Sequence, residues 1–224
     1  MGQKVAIVQS AYIPWKGLFD MINRVDTFVF LDSVQFTKRS WINRNRIKSP
    51  LGTRWLTVPV NGSTSMQINQ VKISDKHWHK SHLASLRQSY SKSPFWDEVE
   101  TILSEAFREE VTLISELNQI LIKSISEFLG IETTFIDSSE IPHEGNKSER
   151  LISILQYLDA DSYLSGPAAK SYIGNEFNEE GINLEWMEYS NYPEYEQPHG
   201  DFRHDVTILD LIASCGNSSP SLIW

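Results

Sequence analysis

Two stretches of the chain gather side chains suited to holding an anionic ligand. Between Gln9 and Asp20 lie an amide at Gln9, aromatic rings at Tyr12 and Trp15, the Pro14-Trp15-Lys16-Gly17 loop and a carboxylate at Asp20. Between Asp32 and Lys48 come Asp32, Gln35, Lys38, Arg39, Trp41, Asn43, Arg44, Asn45, Arg46 and Lys48. Arginine forks take phosphate or carboxylate bidentately, tryptophan faces stack on sugars or bases, and amides fix hydroxyls. The binding candidates are therefore Gln9, Tyr12, Trp15, Gln35, Lys38, Arg39, Trp41, Asn43, Arg44, Arg46 and Lys48. For proton transfer the chain offers His199, near Asp201 in Tyr195-Glu196-Gln197-Pro198-His199-Gly200-Asp201-Phe202, as a general base for an amine or hydroxyl. Asp32, paired with Gln9 to orient an acceptor, and Asp20 complete the catalytic set.

Each group has a structural reading beside the chemical one. Tyr12 and Trp15 fit a core equally well, Gly17 serves as a packing glycine, and Pro198 with Gly200 makes ordinary turn chemistry. His77, His79 and His82 invite a metal, but on a helix only His79 and His82 share a face and no carboxylates accompany them. They read as solvated helix residues around a Trp78 anchor, and no metal site is expected. Cys215, before Gly216, reads as a small buried hydrophobe rather than a thioester nucleophile served by His199 or His204.

The elements that must position these groups follow from periodicity. Lys4–Gln9 and Thr27–Leu31 are short β-branched, apolar runs, and Leu18, Met21, Ile22 and Val25 recur at helical spacing between them. Strand, helix, strand is the signature of a parallel sheet, which puts both candidate loops at carboxyl strand ends, where open α/β sheets bind ligands. Residues 54–60 and 67–73 read as further strands joined by a hairpin loop at 61–64. Residues 76–130 turn helical, including an amphipathic run from Val111 to Leu129 that stops at Gly130. Alternation resumes with strands near 133–136, 162–164 and 182–187, a helix at 148–158 and a last helix at 207–214, leaving 217–224 as an exposed tail. The expectation is one α/β domain over residues 1–224, a mostly parallel Rossmann-like sheet with a helical insert about 76–130.

Composition narrows the class. The 224 residues are 40% hydrophobic, which suits a globular chain, and one Cys excludes an internal disulfide. No run approaches the roughly 18 apolar residues of a spanning helix, and no signal peptide is apparent, so cytoplasmic residence without a membrane partner is expected. Net charge is −9, yet the 42 residues between Asp32 and Asp75 carry no acid and seven cations, leaving −16 on the remainder. A basic island in an acidic chain marks a local anion site, while the acidic body disfavours nucleic acid.

The run Gln9 to Lys48, with Tyr12-Ile13-Pro14-Trp15, Gln35-Phe36, Lys38-Arg39-Ser40-Trp41, Asn43-Arg44 and Asn45-Arg46-Ile47-Lys48, closely resembles the WbqC-like protein family. So do Trp55-Leu56-Thr57-Val58-Pro59-Val60, Glu149-Arg150-Leu151, Tyr163-Leu164-Ser165-Gly166, and Tyr195, Gln197, Phe202 with the Ile208-Leu209-Asp210-Leu211 run. The family commonly has His-Gln-Pro where Val8-Gln9-Ser10 stands, so the His is missing and Gln9 remains. The resemblance implies a transferase of O-antigen and related polysaccharide loci, with a glycine transferase role proposed for the family. The expectation it yields is transfer of a small acyl or aminoacyl group to a nucleotide-linked amino sugar, with no cofactor specified. The alternatives are a nucleotide- or anion-binding protein, an adenylate-forming or nucleotidyltransferase-like enzyme, and an RNA-binding module.

Overall fold

The structure, a computed structural model, describes residues 2–108, 110–171 and 173–224. Gln3–Val8 forms strand β1, and Lys16–Asn23 forms helix α1, whose seven buried residues run from Lys16 to Ile22. Thr27–Phe30 is β2, buried throughout. Next come an antiparallel hairpin, β3 (Arg44–Ser49) and β4 (Gly52–Thr57), and a two-residue pair, β5 (Val60–Asn61) with β6 (Lys72–Ile73). The helices α2 (Trp78–Tyr90), α3 (Trp96–Ala106) and α4 (Ile114–Phe128) occupy the expected insert. Parallel structure returns with β7 (Thr134–Asp137), α5 (Ser148–Tyr157), β8 (Ala160–Ser165), α6 (Glu176–Glu179) and β9 (Asn183–Trp186), and α7 (Ile208–Cys215) is the last helix.

Five strands make one parallel sheet in the order β7-β2-β1-β8-β9. Renumbered along the chain that order is 3-2-1-4-5, the Rossmann order, with its switch point between β1 and β8. Alternation along each strand feeds two cores. Ala6, Phe28, Phe30 and Leu164 face α1, the insert helices and α7. Val5, Ile7, Val29 and Tyr163 face α5 and α6. Burial on both faces explains why β1 and β2 are unbroken apolar runs in sequence.

Two sequence expectations need correction. The strand near 54–60 meets 67–73 only through the short Val60–Ile73 and Asn61–Lys72 pairing, and along most of its length it pairs with Arg44–Ser49, which had read as part of a loop. Its many cations hid an alternation over its first four residues, where Asn45 and Ile47 turn inward and Arg44 and Arg46 are half-exposed; Lys48 and Ser49 beyond them are both buried. Residues 68–70 instead form a 3-10 turn. The tail at 217–224 is not a free terminus, since two 3-10 turns bury Ser219 and Ile223 and the Leu222 carbonyl accepts a bond from Lys16 Nζ.

Candidate functional site

The carboxyl ends of β1 and β8 diverge at the switch point and open a cavity of about 790 Å3, within the 300–1,000 Å3 range of small-molecule sites. Val8, Gln9 and Ser10 floor it from β1, and Ser165 and Gly166 from β8. Trp15 and Tyr189 meet edge to face at 5.0 Å on one wall, and Trp41, His204 and Asp205 stand on another. Most of the lining is apolar, so a ligand with an aromatic or hydrocarbon face fits it. Trp15 is held by the start of α1: a Cβ on Gly17 would lie 2.3 Å from its ring, so only glycine tolerates this approach.

The loop after β1 is fixed from beneath. Asp32, at the end of β2, accepts the Ser10 amide at 2.9 Å and Gln119 Nε2 at 3.0 Å. Burial pushes its carboxyl upward. Asn45 Nδ2 donates to the carbonyls of Tyr12 (3.1 Å) and Ile13 (2.8 Å), and Ile13 sits at φ 36°. Tyr12 is fully buried; its hydroxyl donates to His82 Nδ1 at 2.8 Å, while His82 Nε2–H donates to the Thr57 carbonyl at 3.1 Å. A carbonyl only accepts, so His82 is the neutral Nε2–H tautomer, and burial pushes its pKa down to about 4. His82 is thus a buried structural residue, not a solvated one, although Trp78 anchors the core as expected.

The outward face of the β3–β4 hairpin continues the cavity wall. The rings of Trp41 and Trp55 are 5.3 Å apart, and both are among the most exposed large hydrophobic side chains. Arg44 lies 4.2 Å over Trp55, and Arg46 lies 4.9 Å from Trp55 and 5.5 Å from Trp41. Among the described residues Arg44 has no acidic partner. Arg46 contacts Asp205 at 2.6 Å.

Other candidates stand elsewhere. His199 is not in the cavity lining: its Nε2–H donates to the Ser89 carbonyl at 2.8 Å on α2, which holds the ring away from the cavity. Asp20 is buried under Arg24 (2.6 Å) and the Tyr192 hydroxyl (2.6 Å), bracing α1 rather than facing the cavity. Asn43 donates to the Val58 carbonyl, so its amide is engaged with backbone. Lys48 is buried, its Nζ donating to Gln197 and to the Gly200 and Asp201 carbonyls. Gln35 donates to the Thr64 carbonyl, and Lys38 and Arg39 are exposed beyond the cavity. The structure therefore brings Gln9, Trp15, Trp41, Arg44 and Arg46 together and leaves the others as supports or surface residues. Cys215 is half-buried, with its thiol pushed up by burial. No group of three or more His, Cys, Asp or Glu able to hold a metal occurs among the described residues, nor any helix long and apolar enough to cross a membrane.

The histidine that does face the cavity is His204. Burial and then nearby Lys16 push its pKa down, so it is neutral at neutral pH and able to accept a proton. In sequence it was weighed only as a group that could serve Cys215; in the fold its ring meets that of Phe202 at 4.6 Å.

The model of the WbqC-like protein family matches residues 9–221, which include all of the cavity lining except Ile7 and Val8. The chain belongs to the WbqC-like protein family. This WbqC-like chain is also 40% identical, over 99% of its length and 97% of the relative's, to uncharacterized protein Rv1507c of Mycobacterium tuberculosis. No solved structure matches it.

Proposed function

We propose that this WbqC-like chain is a transferase moving a small acyl or aminoacyl group, glycyl among them, onto the amine of a nucleotide-linked sugar used in surface polysaccharide. The observation that carries the reading is the switch-point cavity continuous with a Trp-Arg face. An apolar, aromatic-walled chamber suits a base, a sugar face or an acyl chain, and the adjoining cations suit phosphate. In the reaction the acceptor nitrogen attacks the carbonyl carbon of an activated acyl ester or thioester, and the leaving group departs as the new amide forms. His204 Nε2 or Nδ1 takes the proton that the amine must lose, and Gln9 orients the acceptor. Asp32 acts one step back, by holding the Ser10 amide and with it the loop that carries Gln9.

The test is thermal unfolding with nucleotide-sugars, CoA esters and ATP, on the wild type and on Trp15→Ala. A ligand at a hundred times its Kd adds about 2.7 kcal/mol, roughly 5 to 10 °C for a chain of this size. A shift with a nucleotide-sugar, lost in Trp15→Ala, supports the reading. A shift with ATP alone favours an adenylate-forming enzyme, and no shift with any of them removes the basis for the proposal.

A further inference from the structure

The cavity itself offers little to an anion, and the cations that would serve one lie at its mouth, already occupied. Asp205 lines the cavity and its carboxylate is gripped from two sides: Arg46 Nη1 reaches Oδ2 at 2.6 Å, while Arg203 Nε reaches Oδ1 and Nη2 reaches Oδ2, both at 2.9 Å. Two guanidinium groups converging on one carboxylate is the arrangement that binds a phosphate oxygen pair. Beside it Arg44, without an acidic partner among the described residues, and the Trp41–Trp55 pair extend the same face. The carboxylate is carried on a short strap. Lys48 Nζ fixes the Gly200 and Asp201 carbonyls at one end, the Thr207 amide bonds the Arg46 carbonyl (2.9 Å) at the other, and no regular secondary structure lies between.

We infer that Arg46 and Arg203, with Arg44 beside them, form a diphosphate subsite outside the cavity, and that Asp205 is its internal occupant, displaced when a phosphorylated ligand arrives. The inference deepens the proposed function and rests on it for the ligand's identity: the apolar moiety enters the cavity and the anionic linker stays on the hairpin face. A nucleotide-linked sugar and a CoA ester both carry that linker, so the subsite recognises the diphosphate itself. Because His204 precedes Asp205 on the strap, displacement of the carboxylate also moves the cavity histidine. The subsite therefore couples arrival of the phosphorylated ligand to the position of the group that takes the proton.

Calorimetric titration with inorganic pyrophosphate tests the subsite alone, on the wild type, Asp205→Asn, Arg46→Ala and Arg203→Ala. Asp205→Asn keeps the side chain's shape and removes the competing charge, so pyrophosphate should bind about fivefold tighter, the ratio an exposed ion pair of this kind commands. Arg46→Ala should weaken binding by tenfold or more, and Arg203→Ala, which is exposed and safe for folding, should weaken it as well. Pyrophosphate binding to Asp205→Asn no tighter than to wild type, or absent from every variant, overturns the subsite. The same titration with a nucleotide-sugar and a CoA ester separates the two sources, since the physiological one gains further affinity from the cavity. A nucleotide-sugar that binds the wild type while Asp205→Asn and Arg203→Ala leave its affinity unchanged would defeat the subsite and leave the proposed function standing.

Discussion

Asn45→Ala isolates the bond pattern that shapes the cavity rim. The Asn45 amide is buried and its Nδ2 is the donor to two carbonyls, Tyr12 at 3.1 Å and Ile13 at 2.8 Å, at the point where the chain takes the left-handed φ of 36° on Ile13. Its Oδ1 accepts the Arg46 amide at 2.7 Å. Truncation leaves two carbonyls and one amide without their partner, at roughly 1 to 3 kcal/mol for each that stays dry. Asn45 also lines the cavity, so water can reach part of the gap and lower the sum. The expected loss is about 3 kcal/mol, or roughly 6 to 12 °C in Tm for a chain of this length. Urea unfolding measured beside ligand binding provides the assay: both stability and affinity fall, because the freed loop carries Trp15. Asn45→Asp is the control. Its carboxylate faces the two carbonyls, so it must be worse than alanine at neutral pH and recover as acid protonates it and restores one donor. A loss under about 1 kcal/mol in Asn45→Ala, or Asn45→Asp equal to wild type, would refute the claim that this amide fixes the loop.

Two buried groups predict opposing acid responses. His82, with its pKa pushed down to about 4, stays neutral in the fold while the unfolded chain protonates near 6.5, so its contribution is lost as pH falls between those values, about 3 kcal/mol in all. His82→Gln should flatten that limb of a stability-versus-pH curve measured by urea unfolding. Asp210, raised to about 6 by burial, binds its proton more tightly when folded, so its contribution is lost as pH rises from about 4 to 6. Asp210→Asn removes that decline and unfolds at the same urea concentration at pH 6 as at pH 4 once the His82 slope is subtracted. Gly17→Ala drives a methyl into the Trp15 ring and should abolish ligand-induced thermal shifts while costing about 1 to 3 kcal/mol of stability in urea. His204→Asn should reduce turnover by 10² to 10⁴ with little change in Tm, as befits a partly exposed proton acceptor; undiminished turnover would exclude it from the proton transfer.

The sheet was legible because its strands are buried on both faces, which writes Val5, Ala6 and Ile7 and then Phe28, Val29 and Phe30 as unbroken apolar runs. The helical insert was legible from its period. The hairpin strand β3 was not, because a run of Arg44, Asn45, Arg46 and Lys48 looks like a charged loop, and neither the inward turn of Asn45 and Ile47 nor the burial of Lys48 shows in its residue types. The basic island mixes Arg44 and Arg46, which stand on the hairpin face beside the cavity, with residues that serve the fold. Lys48 and Asn43 serve the backbone, which a sequence cannot distinguish from serving a ligand. His199 and His204 lie five residues apart in one irregular segment, and only packing decides that one meets a helix carbonyl and the other a cavity.

The closure of the site has a kinetic side. Arg46 and Asp205 are separated by 159 positions in the chain, and the Thr207 amide meets the Arg46 carbonyl across a similar span. Contacts of such sequence separation carry a large loop-closure entropy, as does the pairing of β1 with β8. The strap therefore closes on the hairpin over about the same length of chain that separates β1 from β8 in the sheet. Because Asp205 follows Arg46 by 159 positions, a chain still being synthesised carries the basic hairpin uncovered, its arginines unmatched by Asp205, until the strap has emerged.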